Sequence, residues 1–345
     1  MVFFRTSLDF LIKYRLHILS FFAGFGLCIV LFSTGDHKKE EVGGTSSVKT
    51  ELRQNGFSFI NPLLECEMEG QILNNEYIPF EEEAKNKIQK NIIDIKRAKE
   101  VSVYYRDLNN GPWFGINEGE NFSPASLLKV PLLMAYLKKS ETYPNLLEEK
   151  LIFGKDEINK NLKQNLKPKY SIQEGQEYTI EKLLWFMIVY SDNDAMRILL
   201  DNMDQESLDK IYLDLGMSVP DIRKPEDFMS VKQYASFFRI LYNASYLNRA
   251  NSEKALELLS NVEYKDGLVA GIPADMKIAH KFGEREIDIS GAKTKQLHDC
   301  GIIYYPGNPY LLCVMTRGDS FGELSSTIRD ISDIIYGVVN DAKRR

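Results

Sequence analysis

Ser126-Leu-Leu-Lys129, Ser191-Asp-Asn193 and Lys281-Phe-Gly283 follow one another along a chain of 345 residues. The first grouping can do chemistry by itself. A serine hydroxyl is a weak nucleophile until a neighbouring base takes its proton. Lys129 lies three residues after Ser126, one turn along the same face if the segment is helical. An amine held there accepts the serine proton once burial lowers its pKa. Such a pair attacks a carbonyl carbon and leaves an ester on the serine. The spacing alone is weak ground, because S-x-x-K also occurs at Ser46, Ser207 and Ser290. Only Ser126 has the right surroundings: a turn-like Asn-Phe-Ser-Pro-Ala leads in, and the largely apolar run from Leu127 to Leu137 follows. Taken alone, Ser126 would read as the N-cap of a core helix. The two groupings downstream reverse that preference.

The elements that must position these residues are outlined in the sequence. Apolar residues Ile88, Ile92, Ile93 and Ile95 among charges predict an amphipathic helix over Glu81 to Glu100. Val101 to Leu108 and Trp113 to Ile116 flank Asn-Asn-Gly-Pro, a hairpin signal. The Ser126 helix comes next, starting where backbone N–H groups point at an approaching ligand. Pro131 fits its first turns, where a missing N–H is tolerated. Ile180 to Tyr190 predicts a strongly apolar helix ending at Ser191. Further helices fit Asp194 to Asp201, Ser207 to Leu215, Ser230 to Tyr246 and Ser252 to Val262. Strand-like runs lie at Lys277 to Phe282, Cys300 to Tyr305 and Tyr310 to Thr316, and Leu324 to Val339 closes as a helix. Strands at both ends with helices between them predict an α+β fold: an antiparallel sheet flanked by helices, with an inserted all-α lobe.

A formal net charge of −6 and the lack of a basic run interleaved with aromatics argue against a nucleic-acid partner. His17 to Ser33 carries no Asp, Glu, Lys or Arg. It predicts a single N-terminal transmembrane helix over residues 17–34, with a cleaved signal peptide as the rival. The expected organisation is a short segment 1–16, the anchor 17–34, a flexible tether 35–56 and a folded domain 57–345. The flanking charges lean only slightly toward an inside N-terminus, and function decides which side the domain faces. Of four cysteines, Cys28 lies in the apolar segment, and no C-x-x-C exists to suggest a zinc site. Cys66, Cys300 and Cys313 leave room for one disulfide or for buried thiols. Cys300 and Cys313 sit on runs joined by Pro-Gly-Asn-Pro and could be neighbours on adjacent strands.

With Ser126-Leu-Leu-Lys, Ser191-Asp-Asn and Lys281-Phe-Gly in this order, and the strand run DCGIIYYPGNPYLLCVMTRG after them, the chain resembles the class A β-lactamase-like serine hydrolases of the penicillin-binding superfamily from about Val101 onward. The resemblance implies a β-lactamase/transpeptidase-like sheet and helical lobe with the site between them. It implies Ser126 as the acylated nucleophile and Lys129 as its proton acceptor. Ser191 would bridge towards Lys281 and help pass a proton to the leaving nitrogen, Lys281 would supply positive potential near Ser191, and Asn193 would hold a substrate amide. The N–H groups of Ser126 and of Glu284, just past Gly283, would form the oxyanion hole. The implied substrate is a β-lactam or a D-alanyl-type cell-wall peptide. No metal and no cofactor is implied.

Two departures bear on that reading. Phe282 stands where the family usually has a hydroxyl that helps bind the substrate carboxylate; Arg285 could supply a clamp instead through its planar fork. The stretch from Ser191 to Lys281 also reads as too short for the full loop whose glutamate positions the deacylating water. Within Val219 to Met229, Glu226 is the candidate base, with Asp227 beside it. A poorly placed base would let the acyl-enzyme persist, as in a peptidase or a slow penicillin binder; a non-catalytic binding relative is the third expectation. Two rivals are weaker. Gly318-Asp-Ser320-Phe-Gly322 matches G-x-S-x-G, but no histidine follows it to complete a triad, so it reads as the turn before the last helix. His298-Asp299 has no second ligand cluster and reads as a strand end.

Overall fold

The computed structural model describes residues 50–67, 78–109, 111–154, 164–220, 227–289 and 292–344. The chain divides into two units, residues 1–47 and 48–345, and every described residue lies in the second. The expected anchor 17–34 and the candidate base Glu226 lie outside the described residues. Among the described residues no helix is long and apolar enough to cross a membrane.

A short hairpin, β1 (Thr50–Arg53) and β2 (Leu63–Glu67), precedes helix α1 (Glu81–Ile88), which runs on through a wider turn at Gln89–Ile93. Strands β3 (Glu100–Asp107) and β4 (Trp113–Ile116) form the predicted hairpin. The two-residue β5 (Asn121–Phe122) then leads through a 3-10 turn, Ala125–Leu128, into α2 (Lys129–Ser140). The lobe is built from β6 (Lys150–Ile152), β7 (Glu177–Thr179), α3 (Ile180–Val189), α4 (Asn193–Asp201), α5 (Gln205–Asp214), β8 (Met229–Ser230), α6 (Val231–Tyr242) and α7 (Arg249–Ser260). The chain then returns as β9 (Ile278–Ile289), β10 (Ala292–Ile303) and β11 (Tyr310–Gly318), and closes with α8 (Phe321–Arg344). The strands make one antiparallel sheet in the order β4-β3-β11-β10-β9, with β9 at the edge.

Side chains alternate across this sheet with period two. Leu311, Cys313 and Met315 of β11 face the core of the helical lobe, while Leu312 and Val314 face Ile328, Ile331 and Ile335 of α8. Both faces of the central strand are therefore buried, which is why β11 reads as a continuous apolar run. Cys300 and Cys313 are direct register partners and are joined in a disulfide, the pairing that their placement on adjacent runs allowed. The lobe helices start at side-chain caps: Thr179 on α3, Asp192 on α4, Asp204 on α5, and a capping box of Ser230 and Gln233 on α6.

Two expectations need correcting. β9 and β10 extend well past the runs read from the sequence and pair out to Ile289↔Ala292. Their added length, Glu284 to Ile289 and Ala292 to Asp299, is largely polar or charged, the usual dress of an edge hairpin, and so resembles a loop. His298 is not at a strand end either. It lies inside β10 and is fully buried.

Candidate active site

Ser126 does not cap the helix. It sits inside the 3-10 turn, with Ala125 before it in the left-handed region at φ +50°. Leu127 N–H closes the turn on Pro124 O at 3.0 Å. Pro131 lacks the N–H that a helix would aim at the carbonyl of Leu127. The buried Tyr234 of α6 fills that vacancy, donating its hydroxyl to Leu127 O at 3.0 Å. The edge strand β9 fits against the same turn. A Cβ added at Gly283 would come within 2.7 Å of Pro124 O and 3.1 Å of Leu127 N, so only glycine allows the approach. The strand edge carrying Gly283 and Glu284 is thus brought beside Ser126.

Lys129, first residue of α2, is fully buried. Its Nζ lies 3.2 Å from Ser126 Oγ, 3.1 Å from Ser191 Oγ, 2.6 Å from Ser191 O and 2.7 Å from Asn193 Oδ1. Burial pushes its pKa down to about 7, against the pull of the Asp192 and Glu284 carboxylates. A neutral amine has two N–H bonds and one lone pair. The two shortest contacts go to pure acceptors, a carbonyl and an amide oxygen, and take the two N–H bonds. The lone pair is left facing the two hydroxyls, where a base must point to receive the Ser126 proton.

Ser191 follows the last turn of α3 and holds a left-handed φ of +57°. That conformation costs about 1–2 kcal/mol in a residue other than glycine, and the neighbouring contacts offset it. Asp192 N–H returns to Phe186 O at 3.2 Å, and Gln164 Nε2 adds a second donor to Ser191 O at 3.0 Å. Asp192 caps α4 through Oδ1 and accepts Ile172 N–H on Oδ2 at 2.8 Å. The Ser191 hydroxyl lies between the two lysines, because Lys281 Nζ also donates to it at 2.9 Å. Lys281 is fully buried, and burial followed by the nearness of Lys129 pushes its pKa well down. One hydroxyl thus joins two amines that cannot both carry charge cheaply.

The structure brings Ser126, Lys129, Ser191, Asn193 and Lys281 together, with Gly283 and Glu284 alongside. Phe282 is buried and stacks on Tyr264, ring centroids 4.3 Å apart. The Glu284 carboxylate accepts from Asn165 N–H, Leu166 N–H and Asn165 Nδ2, tying the segment before Ser191 to β9. Arg285 is half-buried and gives one Nη to Ser123 Oγ at 2.7 Å. Asp227 is ion-paired to Arg317 at 2.7 Å and accepts from Gln296 Nε2 at 2.9 Å. Sequence reasoning missed Gln296 and His298, which reach the peptide just before the nucleophile. Their signal was the period-two series Gln296, His298, Cys300, Ile302 on one face of a strand. Among the described residues, no group of three His, Cys, Asp or Glu could hold a metal ion.

The beta-lactamase enzyme family model matches residues 83–339. No match is found among curated proteins. Among solved structures, the chain is similar to a penicillin G acyl-enzyme complex of a point mutant of PBP-A: 21% identity, 76% of this chain and 97% of that one, TM-score 0.63. It is similar to a beta-lactamase from Chitinophaga pinensis, with 20% identity over 74% of this chain and 99% of that one, TM-score 0.65. It is similar also to TLA-3 extended-spectrum beta-lactamase, with 20% identity over 75% and 98%, TM-score 0.66. At these identities the structures speak for the fold, and the family match, which spans both lobe and sheet and all three motifs, carries the assignment: the chain belongs to the beta-lactamase enzyme family.

Proposed function

We propose that this chain is a serine hydrolase that opens the amide of a β-lactam through an ester on Ser126. Ser126 Oγ attacks the carbonyl carbon as its proton moves to neutral Lys129. The tetrahedral oxyanion is received by the N–H groups of Ser126 and Glu284. The proton leaves by way of Ser191 Oγ to the departing nitrogen, with Lys281 orienting that hydroxyl. Asn193 holds the substrate's side-chain amide, and the guanidinium of Arg285 offers its remaining N–H groups to the substrate carboxylate in place of the hydroxyl that Phe282 lacks. The observation that carries the reading is a buried amine, its pKa pushed down to about 7, lying 3.2 Å and 3.1 Å from two serine hydroxyls.

A second reading concerns the fate of the ester. Asp227, the carboxylate beside the candidate base in the sequence, is taken up by Arg317 and Gln296. That favours a long-lived ester, the behaviour of a peptidase acting on D-alanyl-type cell-wall peptides. The apolar segment 17–34 supports anchoring by a single membrane span, with the catalytic unit on the far side from the cytoplasm. The test is intact-mass spectrometry of the full chain in detergent after incubation with a penicillin and with a cephalosporin. An adduct that is present in the wild type and absent in Ser126→Ala supports acylation, and its lifetime separates fast turnover from persistence. No adduct together with no β-lactam turnover overturns the proposal.

A further inference from the structure

Three side chains from the sheet hold the peptide that delivers the nucleophile, and none belongs to the three motifs. Ser123, three residues before Ser126, is nearly fully buried. Its N–H donates to Gln296 Oε1 at 3.0 Å, and its carbonyl accepts from His298 Nε2 at 3.0 Å. Its hydroxyl accepts from Arg285 Nη1 at 2.7 Å. Both backbone groups and the side chain of one residue are therefore fixed. Gln296 and His298 are 1% and 0% exposed, so no water competes for these bonds. The histidine roles are set by geometry: Thr316 N–H donates to Nδ1 at 3.3 Å, so the ring proton sits on Nε2 and points at Ser123 O.

We propose that Gln296 and His298 are positioning residues for Ser126, with Tyr234 as the matching anchor on the far side of the turn. The turn begins at the left-handed Ala125, which leaves little slack between Ser123 and Ser126. A displaced Ser123 therefore moves the hydroxyl relative to Lys129 Nζ, already 3.2 Å away. Gln296 has a second duty. Its Nε2 donates to Asp227 Oδ1, which joins the nucleophile's peptide to the segment that runs into β8. β5 pairs with β8 beside it, Asn121 opposite Ser230 and Phe122 opposite Met229. One amide thus sets the spacing between the nucleophile and the chain next to the expected deacylating base.

The inference rests on Ser126 being acylated, so its test has a readout that does not. In the full chain, His298→Leu, Gln296→Met, Tyr234→Phe and the conservative His298→Gln are compared with Ser332→Ala. The last removes a buried hydrogen bond to Leu268 O on the α8 side of the sheet. Acylation by penicillin G is followed by mass as a function of concentration, and hydrogen exchange is followed in the peptide 122–128. The expected result is an acylation rate at saturation lower by about tenfold to about a hundredfold in His298→Leu and Gln296→Met, as ~1 Å misplacements produce. The half-saturating concentration stays nearly constant, exchange over 122–128 rises, and His298→Gln, which keeps an N–H donor, recovers most of the rate. Ser332→Ala leaves both readouts unchanged. Wild-type acylation and exchange in His298→Leu and Gln296→Met overturn the inference, as does an equal loss in Ser332→Ala. If the wild type takes no adduct, the proposed activity fails, and exchange over 122–128 alone decides: an unchanged pattern in the variants sinks the positioning role.

Discussion

Lys129 must be neutral when it meets Ser126, and its burial favours that form. Burial brings its pKa to about 7, close to the working pH of a general base, where the correct protonation state and useful basicity coincide. The acylation rate should therefore rise with pH by about tenfold per unit below about pH 7 and level off above it. Stopped-flow acylation at a series of pH values checks this, and a flat profile through that region would exclude Lys129 as the base. Lys129→Met should lower the plateau by about a thousandfold or more, since general-base assistance and nucleophile activation are lost together. Ser191 is tested separately. Ser191→Ala removes the hydroxyl between the two amines but leaves Ser126 beside Lys129, so acylation should slow while substrate binding is retained. At this scale the three motifs and their partners were legible because the chemistry demands fixed residue types. Arg285 was legible as a residue but not as a contact, since nothing in the sequence ties it to Ser123.

An edge strand can present backbone donors outward because one side of its ladder has no partner strand. β9 is such an edge, and Gly283 is the position at which it meets the nucleophile turn. Gly283→Ala should push the turn away from β9, lowering the acylation rate by about tenfold or more with little change in fold. Circular dichroism and acylation measured on the same sample test both halves of that statement. The lobe helices were legible from periodicity and caps, and α6 starts at the predicted Ser230. The β9–β10 hairpin was only half legible. Its outer portion carries Glu284, Arg285, Glu286, Lys293 and Lys295, which suit a solvated edge and imitate a loop. The 3-10 turn at Ser126 was hidden for a different reason: its Leu127 carbonyl is held by Tyr234, more than a hundred residues away.

Among the described residues, three buried basic groups are pushed toward their neutral forms, because burial outweighs the pull of nearby acids such as Asp192 and Asp299. Lys129 has its pKa lowered from 10.5 to about 7, Lys281 well below 10.5, and His298 from 6.5 to about 4. In each case the unfolded chain binds the proton more readily, so stability rises with pH across the gap between the two values. For Lys129 the cost is complete below about pH 7, about 5 kcal/mol, and fades toward pH 10.5. For His298, about 3 kcal/mol is lost as pH falls from 6.5 to about 4. Unfolding at about pH 8.5 should take up at least one proton, read by calorimetry in buffers of differing ionisation enthalpy, and Lys129→Met should remove about one. His298→Gln should flatten the acid limb of a melting-temperature profile. The disulfide has a consequence for how the protein is made. Cys300 and Cys313 are 1% and 0% exposed, sealed between the sheet and the lobe. An oxidant reaches them only while β10 and β11 are still uncovered, so their oxidation belongs to biogenesis, before the lobe docks. Once the molecule has closed, a mild reductant should leave the bond intact until the chain unfolds.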